Sequence, residues 1–320
     1  MNRYLFLLLF VTQSLMTLAQ QTPLFTQYRE YGSLINPAMV PQAWIPYEHH
    51  FTAGISYRTQ WTEIASAPGT AVVRGEFMTR DYSPANAIFG GHIVHDQTGP
   101  TGFTGVYGRL AGVISDDPYY GGFGAGMNLG LVQYRVNVSD LRFRDQEDLA
   151  LLEDQNKLFP DVGIGVYAYK RFTSGFLEES VVYGGVSIPQ TLGLDLEFGN
   201  ENGSFNTQRM QHFYGMLGLY KFFSDGSFIE PSAWVKYVSG APVNVDFNLR
   251  YQMAVNLWIG AGYSTSSSIH LETGVLLGDD VNLGSDHLRI GYGFDYHFTS
   301  FGPFTGPAHE VNIAFSLGRF

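Results

Sequence analysis

From residue 49 onward the chain returns again and again to one pattern, segments of ten or more residues in which apolar and polar or small residues alternate at period two. In Leu288 to Thr299 the apolar set is Leu288, Ile290, Tyr292, Phe294, Tyr296 and Phe298, and Arg289, Gly291, Gly293, Asp295, His297 and Thr299 fall between. Val243 to Met253 repeats it, and Tyr119 to Val136 does so with Gly122, Gly124, Gly126, Asn128 and Gly130 opposite Phe123, Ala125, Met127, Leu129 and Leu131. Successive side chains of a strand point to opposite faces, so each segment has one apolar, aromatic face and one polar or glycine face. Strands of soluble sandwiches are nearer 5 or 6 residues, whereas a tilted strand crossing a bilayer needs about 9–11.

Candidate strands lie at 49–58, 70–79, 86–97, 102–114, 119–136, 161–172, 179–190, 209–223, 227–238, 242–253, 254–265, 268–277, 288–299 and 309–320. Their number, about fourteen, is even, as a bacterial single-chain outer-membrane barrel requires. In hydrocarbon only a closed sheet leaves no backbone edge unpaired. The expected fold is therefore all-β, a transmembrane antiparallel β-barrel of the outer-membrane type. A large secreted sandwich or propeller is the soluble alternative, but charged residues make up only 15% of the chain, against about 25% in ordinary domains, and 38 residues are glycine. A net charge of −11 gives no attraction to nucleic acid. With no Cys, disulfides and Cys-based metal or iron–sulfur sites are excluded.

The first twenty residues have the layout of a secretory signal: Arg3, the apolar run Leu5 to Val11, then Thr17-Leu18-Ala19, with cleavage expected after Ala19 or Gln20. The run is too short to span a membrane as a helix. The expected organisation is a signal peptide at 1–20, an N-terminal segment at 21–48 and the barrel at 49–320. Segment 21–48 holds Phe25, Tyr28, Tyr31, Ile35 and Trp44 among Pro23, Pro37, Pro41 and Pro46. It is too apolar for a free tail and too rich in proline for a strand. It is expected to pack on the barrel as a plug or periplasmic cap, because a wall of strand glycines lets another backbone come close. With both chain ends periplasmic, the long connections 59–69, 137–160, 191–208 and 300–308 all fall on the outer side.

No catalytic constellation emerges: G-x-S-x-G, H-E-x-x-H and the P-loop are all missing. His92 and His95 are three apart on a strand and so point to opposite faces. The acidic stretch 137–160 lacks the glycine of a calcium loop and reads as a solvated loop. Neither a cofactor nor a metal is expected, and the chain is not expected to be an enzyme.

Short motifs occur in a particular order: Phe25-Thr26-Gln27-Tyr28, Asn36-Pro37-Ala38, Tyr57-Arg58-Thr59-Gln60-Trp61, Ala67-Pro68-Gly69-Thr70, Asp96 with Gly99-Pro100, Pro160-Asp161, Tyr183 to Pro189, Glu230-Pro231-Ser232, Leu288 to Tyr292 with Asp295-Tyr296, and His309-Glu310. Together they resemble the PorP/SprF family of Bacteroidota over nearly the whole mature chain. The resemblance implies an outer-membrane protein of the type IX secretion and gliding machinery. Its members act with the core machinery, among periplasmic or peptidoglycan-linked components, or hold a secreted adhesin by its C-terminal domain. One departure is that Phe320 falls on the opposite parity from Val311, Ile313, Phe315 and Leu317, which a bulge at Gly318-Arg319 would correct.

Candidate partner contacts are Phe25, Tyr28, Asn36 and Pro37 in the N-terminal segment, and Tyr57, Arg58, Gln60, Trp61 and Pro68 around the first outer loop, where aromatics and Arg are the usual interface anchors. Tyr57 and Trp61 have a second reading as aromatic girdle residues at the outer interface. An outer-membrane diffusion channel is the alternative function, and it would need an open lumen.

Overall fold

The computed structural model describes residues 25–79, 84–137, 154–200, 203–298 and 302–318. Fourteen antiparallel strands close into a barrel and a separate two-stranded hairpin stands beside them. In chain order the strands are β1 (Phe51–Thr59), β2 (Gly69–Met78), β3 (Ala85–Thr98), β4 (Thr101–Ile114), β5 (Gly121–Val136), β6 (Gln155–Phe172), β7 (Ser180–Gln190), β8 (Leu194–Asn200), β9 (Gly203–Arg209), β10 (His212–Phe222), β11 (Phe228–Val238), β12 (Asn244–Gln252), β13 (Leu257–Ser264), β14 (Ser268–Leu277), β15 (His287–His297) and β16 (Ala308–Leu317). Each barrel strand pairs with the next along the chain, β7 passes directly to β10, and β1 closes the sheet against β16 from Phe51↔Leu317 to Thr59↔His309.

The period-two pattern explains which face is which. On β12, Phe247, Leu249 and Tyr251 are exposed and Asp246, Asn248, Arg250 and Gln252 are buried. The same holds on β1, where Ile55 and Tyr57 face out and Thr52, Ser56 and Arg58 face in. An apolar outside and a charged inside reverse the order of a soluble protein, and fit hydrocarbon around the wall. Register locks this arrangement, because a slip of one residue would turn Arg58, Arg250 and Glu310 outward.

Connections at the end where β1 begins and β16 finishes are short except for 278–286, which carries a 3-10 turn at Asp279–Val281; we call it the terminal end. At the turn 223–227, Gly226 takes φ +84°, and the Asp225 carboxylate accepts hydrogen bonds from the Ser227 N–H and hydroxyl at 3.0 and 2.6 Å. The opposite, loop end carries the connections 60–68 and 298–307 and the hairpin β8–β9. Loop 60–68 is tied to its neighbour there, with Glu63 N–H donating to the Thr305 carbonyl at 3.1 Å.

Strand positions follow the alternation closely, with two differences. The connection expected at 191–208 contains the hairpin β8–β9, paired from Leu194↔Arg209 to Asn200↔Gly203. Strand β6 begins at Gln155 rather than 161, because it stays paired to β5 out to Gln155↔Val136 while β7 joins it only from Ile164. Pro160 and Pro189 stand at this parting and have no N–H to extend the ladder. The last link across it is Thr191 N–H to the Val162 carbonyl, 2.7 Å. The acidic residues of 138–153 and the proposed bulge partner Arg319, with Phe320, lie outside the described residues.

Candidate functional site

The interior of the barrel is occupied by the chain itself. Residues 25–50 run along the lumen through three short helical turns, α1 (Tyr28–Tyr31, 3-10), α2 (Gly32–Ile35) and α3 (Trp44–Tyr47). Every residue from Phe25 to Ile45 is buried except the half-buried Leu34. So short a stretch cannot bury a core of its own, and its apolar side chains find one only against the wall. Phe25 and Tyr31 stack with ring centroids 3.7 Å apart, and Tyr28 lies against Trp234 at 5.3 Å.

Two adjacent charges at the centre of this segment join opposite sides of the wall. Arg29 pairs with Glu230 of β11 at 3.3 Å and with Glu272 of β14. Glu30 receives Arg289 of β15 at 2.5 Å, Arg74 of β2 at 3.4 Å and Arg250 of β12 at 3.6 Å. Arg250 also reaches Glu230 at 2.6 Å, which joins the two sets into one network. Burial alone would raise the Glu30 pKa, but the guanidinium groups of Arg289, Arg74 and Arg250 outweigh it and hold the carboxyl below its usual range. Arginine suits this role because its planar fork serves several carboxylates at once and stays charged when buried.

Nearer the loop end, Glu310 accepts the backbone N–H groups of Thr26 and Gln27 at 2.8 and 3.1 Å, and Arg58 pairs with Asp295 at 2.5 Å and Glu310 at 3.7 Å. Arg109 of β4 anchors the later part of the segment by donating to the Pro37 carbonyl at 2.9 Å and to the Met39 carbonyl, while pairing with Glu76. At the terminal end the Trp44 indole N–H donates to the Tyr169 hydroxyl at 3.1 Å. His49 contacts the Ser316 hydroxyl at 2.8 Å and His287, 4.6 Å between rings. Burial first, then the His287 ring, pushes His49 down to about 4.

The wall of β5, β6 and β7 holds the segment differently. The Pro37 carbonyl lies over Gly126 and the Asn36 side chain over Gly165, so closely that a methyl group at either glycine would overlap them. Asn36 donates to the Val166 carbonyl at 3.0 Å, Asn128 to the Ser33 carbonyl at 3.0 Å, and Ser187 to the Ile35 carbonyl at 2.6 Å. Backbone meets backbone here because no side chain stands between.

The named contact candidates separate into three places. Phe25, Tyr28, Asn36 and Pro37 are buried in the lumen, and Arg58 is there too, 2% exposed. Tyr57 is 57% exposed on the outer face of the wall. Trp61 is exposed on loop 60–68, Gln60 is half-buried beside it and Pro68 is buried. Arg58 and Trp61 therefore do not share a surface. His92 lies in the lumen stacked on Tyr107, and His95 is exposed on the other face, bonded to Thr104. Sequence reading missed Arg29, Glu30, Arg74, Glu230, Glu272, Arg250 and Arg289. A signal for the strand members was present, since each is a charged residue on the non-apolar parity of a lipid-crossing strand.

A family model described as "Type IX secretion system membrane protein PorP/SprF" matches residues 17–315. The chain belongs to the PorP/SprF family. That match covers the lumen segment, thirteen wall strands and most of β16, so this PorP/SprF protein is a type IX secretion membrane barrel. No curated protein matches the chain. Among solved structures, the deltaS2S3 mutant of the monoaromatic hydrocarbon channel TodX superposes with a TM-score of 0.55 at 10% identity, covering 90% of this chain and 94% of that one. The monoaromatic hydrocarbon channel CymD also gives 0.55, at 9% identity, covering 91% and 92%. At such identity these two share the barrel fold with the PorP/SprF chain and nothing more specific.

Proposed function

We propose that this protein is a non-enzymatic docking barrel of the outer membrane, which holds a partner of the type IX secretion and gliding machinery. The partner is the C-terminal domain of a secreted adhesin or a periplasmic, peptidoglycan-linked component. In this reading the signal peptide is removed after Ala19 or Gln20, residues 21–48 form a built-in plug, and residues 49–320 form the barrel. Both chain ends face the periplasm and the loop end faces outward.

One observation carries the reading: the charged groups of the lumen are matched either to the chain's own segment, through Arg29 and Glu30, or to one another across the wall, as Arg109 to Glu76 and Lys236 to Asp246. A wall whose ionic groups are already matched has little with which to select ions or conduct chemistry, and what it offers a partner is its rims. The loop end supports this. Trp61 stands exposed with φ +55° and Ser66 with φ +61°, left-handed conformations that a bulky residue rarely adopts and that gather at binding loops.

Co-purification from gently solubilised envelopes tests the reading. Either one large secreted protein or a set of periplasmic machinery proteins is expected, and recovery of the barrel alone would remove the docking function. Trp61→Ala with Tyr57→Ala should lower recovery of the partner if the loop end is the contact. A diffusion channel is the competing reading, and large stable conductance of the intact protein in planar bilayers would favour it.

A further inference from the structure

The outer face of the wall is not even. On β11 the outward residues Pro231 and Ala233 are short, and the taller Leu217 and Leu219 of β10 and Phe247 and Leu249 of β12 stand on either side of them. The difference in height leaves an open trough of about 750 Å³, within the roughly 300–1,000 Å³ of ordinary ligand sites. The outward side chains along it carry no charge.

The trough reaches the terminal end of the barrel, where Val182 of β7 and Leu177 of the turn 173–179 line it. Two lysines stand at that mouth. Lys170 of β6 is the register partner of Val182, and Lys221 lies one outward position beyond Leu219, beside Ser180. The Lys170 ammonium bends over the Phe172 ring, 5.6 Å from its centroid, and so towards the end of its strand. The Lys221 ammonium donates to the Glu178 carbonyl and keeps two N–H groups for another acceptor. On the same turn the Glu178 and Glu179 side chains are exposed. Among the described residues none of these four charged groups has an ion-pair partner. The other charges nearby are engaged, Asp225 by Ser227 and Arg171, on the opposite parity, over the Tyr119 ring at 4.2 Å.

This combination selects an occupant. A charge-free trough open to hydrocarbon suits an acyl chain, and two ammonium groups at its mouth suit a phosphate. Glu178 and Glu179 balance the two lysines, so a headgroup that brings only negative charge gains little there. A headgroup that carries a phosphate and a cation of its own satisfies both signs.

We propose that the trough is a binding site for one zwitterionic phospholipid, with an acyl chain along Pro231 and Ala233, its phosphate on Lys170 and Lys221, and a primary ammonium on Glu178 or Glu179. The site is separate from the docking role, and only its leaflet rests on that reading: with the terminal end in the periplasm, the lipid belongs to the inner leaflet.

Native mass spectrometry of the purified protein, released from detergent micelles, tests the site with phosphatidylethanolamine and phosphatidylglycerol of identical acyl chains. One phosphatidylethanolamine should stay bound under activation that strips every other lipid, and it should bind more tightly than phosphatidylglycerol. Lys170→Gln with Lys221→Gln should weaken it about tenfold, two exposed charge contacts of about threefold each. Glu178→Gln with Glu179→Gln should turn the preference towards phosphatidylglycerol. Ala233→Phe, which fills the trough, should abolish the retained lipid, and the lysine pair, changed only at the rim, carries the test if that variant fails to fold. Equal retention of the two lipids by the unaltered protein, or retention unchanged by the lysine pair, overturns the site. The leaflet is read separately. The chain has no Cys, so Asp225→Cys places a single thiol on the adjoining turn, which an impermeant maleimide should fail to label in intact cells. Labelling there would overturn the inner-leaflet assignment and leave the binding result in place.

Discussion

One segment of chain is gripped in the lumen by two walls of different character, although Gly291 and Gly293 of β15 also lie close under Gln27 and Thr26. On the side of β1, β2 and β11–β16 it is held by charge, through Arg29 and Glu30 against Glu230, Glu272, Arg74, Arg250 and Arg289. On the side of β5–β7 it is held by close approach, with Pro37 and Asn36 over Gly126 and Gly165. The charged wall can fix position from a distance of one long side chain, but it demands that every partner be present. The glycine wall adds neutral hydrogen bonds from Asn128 and Ser187, but its close fit demands above all that nothing be added. The first is intolerant of loss and the second of gain.

The largest effect should follow loss on the charged side. Glu30→Leu leaves Arg74, Arg250 and Arg289 without their shared carboxylate, and breaking a buried ion pair costs about 3–5 kcal/mol. The segment should come free at ordinary temperature, seen as trypsin cleavage within residues 25–48 and raised conductance in planar bilayers. An intact, non-conducting Glu30→Leu barrel would show that the charged wall does not hold the segment.

Gain on the glycine side comes next. Gly126→Val drives a side chain into the Pro37 carbonyl and should destabilise the seated segment by about 1–3 kcal/mol, read as faster proteolysis of residues 25–48. Gly75→Val is the control, because a Cβ there meets nothing within 4 Å, and it should change stability by no more than about 0.5 kcal/mol. Equal behaviour of the two variants would erase the distinction between the walls.

Acidity separates the centre of the segment from its terminal end. Glu30 has a depressed pKa, so its contribution is complete above the usual carboxylate range and is lost only as pH falls through that lowered value. The segment should stay seated between pH 5 and 8. His49, held neutral and down at about 4, contributes fully above pH 6.5 and loses that contribution as pH falls from 6.5 towards 4. Hydrogen exchange at residues 44–50 should therefore rise with mild acid before that at residues 28–35, and His49→Gln should remove the early rise.

The smallest effect belongs to the parting of β6 and β7, at one edge of the glycine wall. Arg209 of the hairpin pairs with Asp161 of β6 at 2.6 Å, and Asp161 keeps a second bond from the Tyr107 hydroxyl at 2.7 Å. Arg209→Ala should loosen β8–β9 by about 1 kcal/mol and leave the segment seated, as exchange rates in residues 194–209 against those in 25–48 would report. Release of the segment by this change would mean that the hairpin helps to hold it.

How legible this was depended on what each residue was asked to do. Wall strands such as β12 and β15 were readable because lipid imposes one uniform demand on every second residue. The outer part of β6, Gln155 to Pro160, was not, since the alternation required of wall strands does not extend through it. The hairpin β8–β9 escaped notice although Leu194, Leu196 and Phe198 alternate with Asp195, Glu197 and Gly199, because its seven-residue strands are shorter than a bilayer crossing needs. Inward charges were visible as residues of the polar parity, but nothing in Arg58 or Arg250 says which carboxylate it meets. That depends on the closure of the barrel, which brings Arg29, Glu230 and Glu272 together over 243 residues of chain.

Sequence alone determined the class of fold, the number of wall strands and which face of each meets lipid, because a two-residue period is a local property that survives any arrangement of the strands. The tertiary structure alone decided that Arg29 and Glu30 sit at the centre of an ion-pair network, and that Arg58 turns away from Trp61. Those facts depend on distances between residues remote in the chain, and only a closed barrel with its own N-terminal segment inside it sets them.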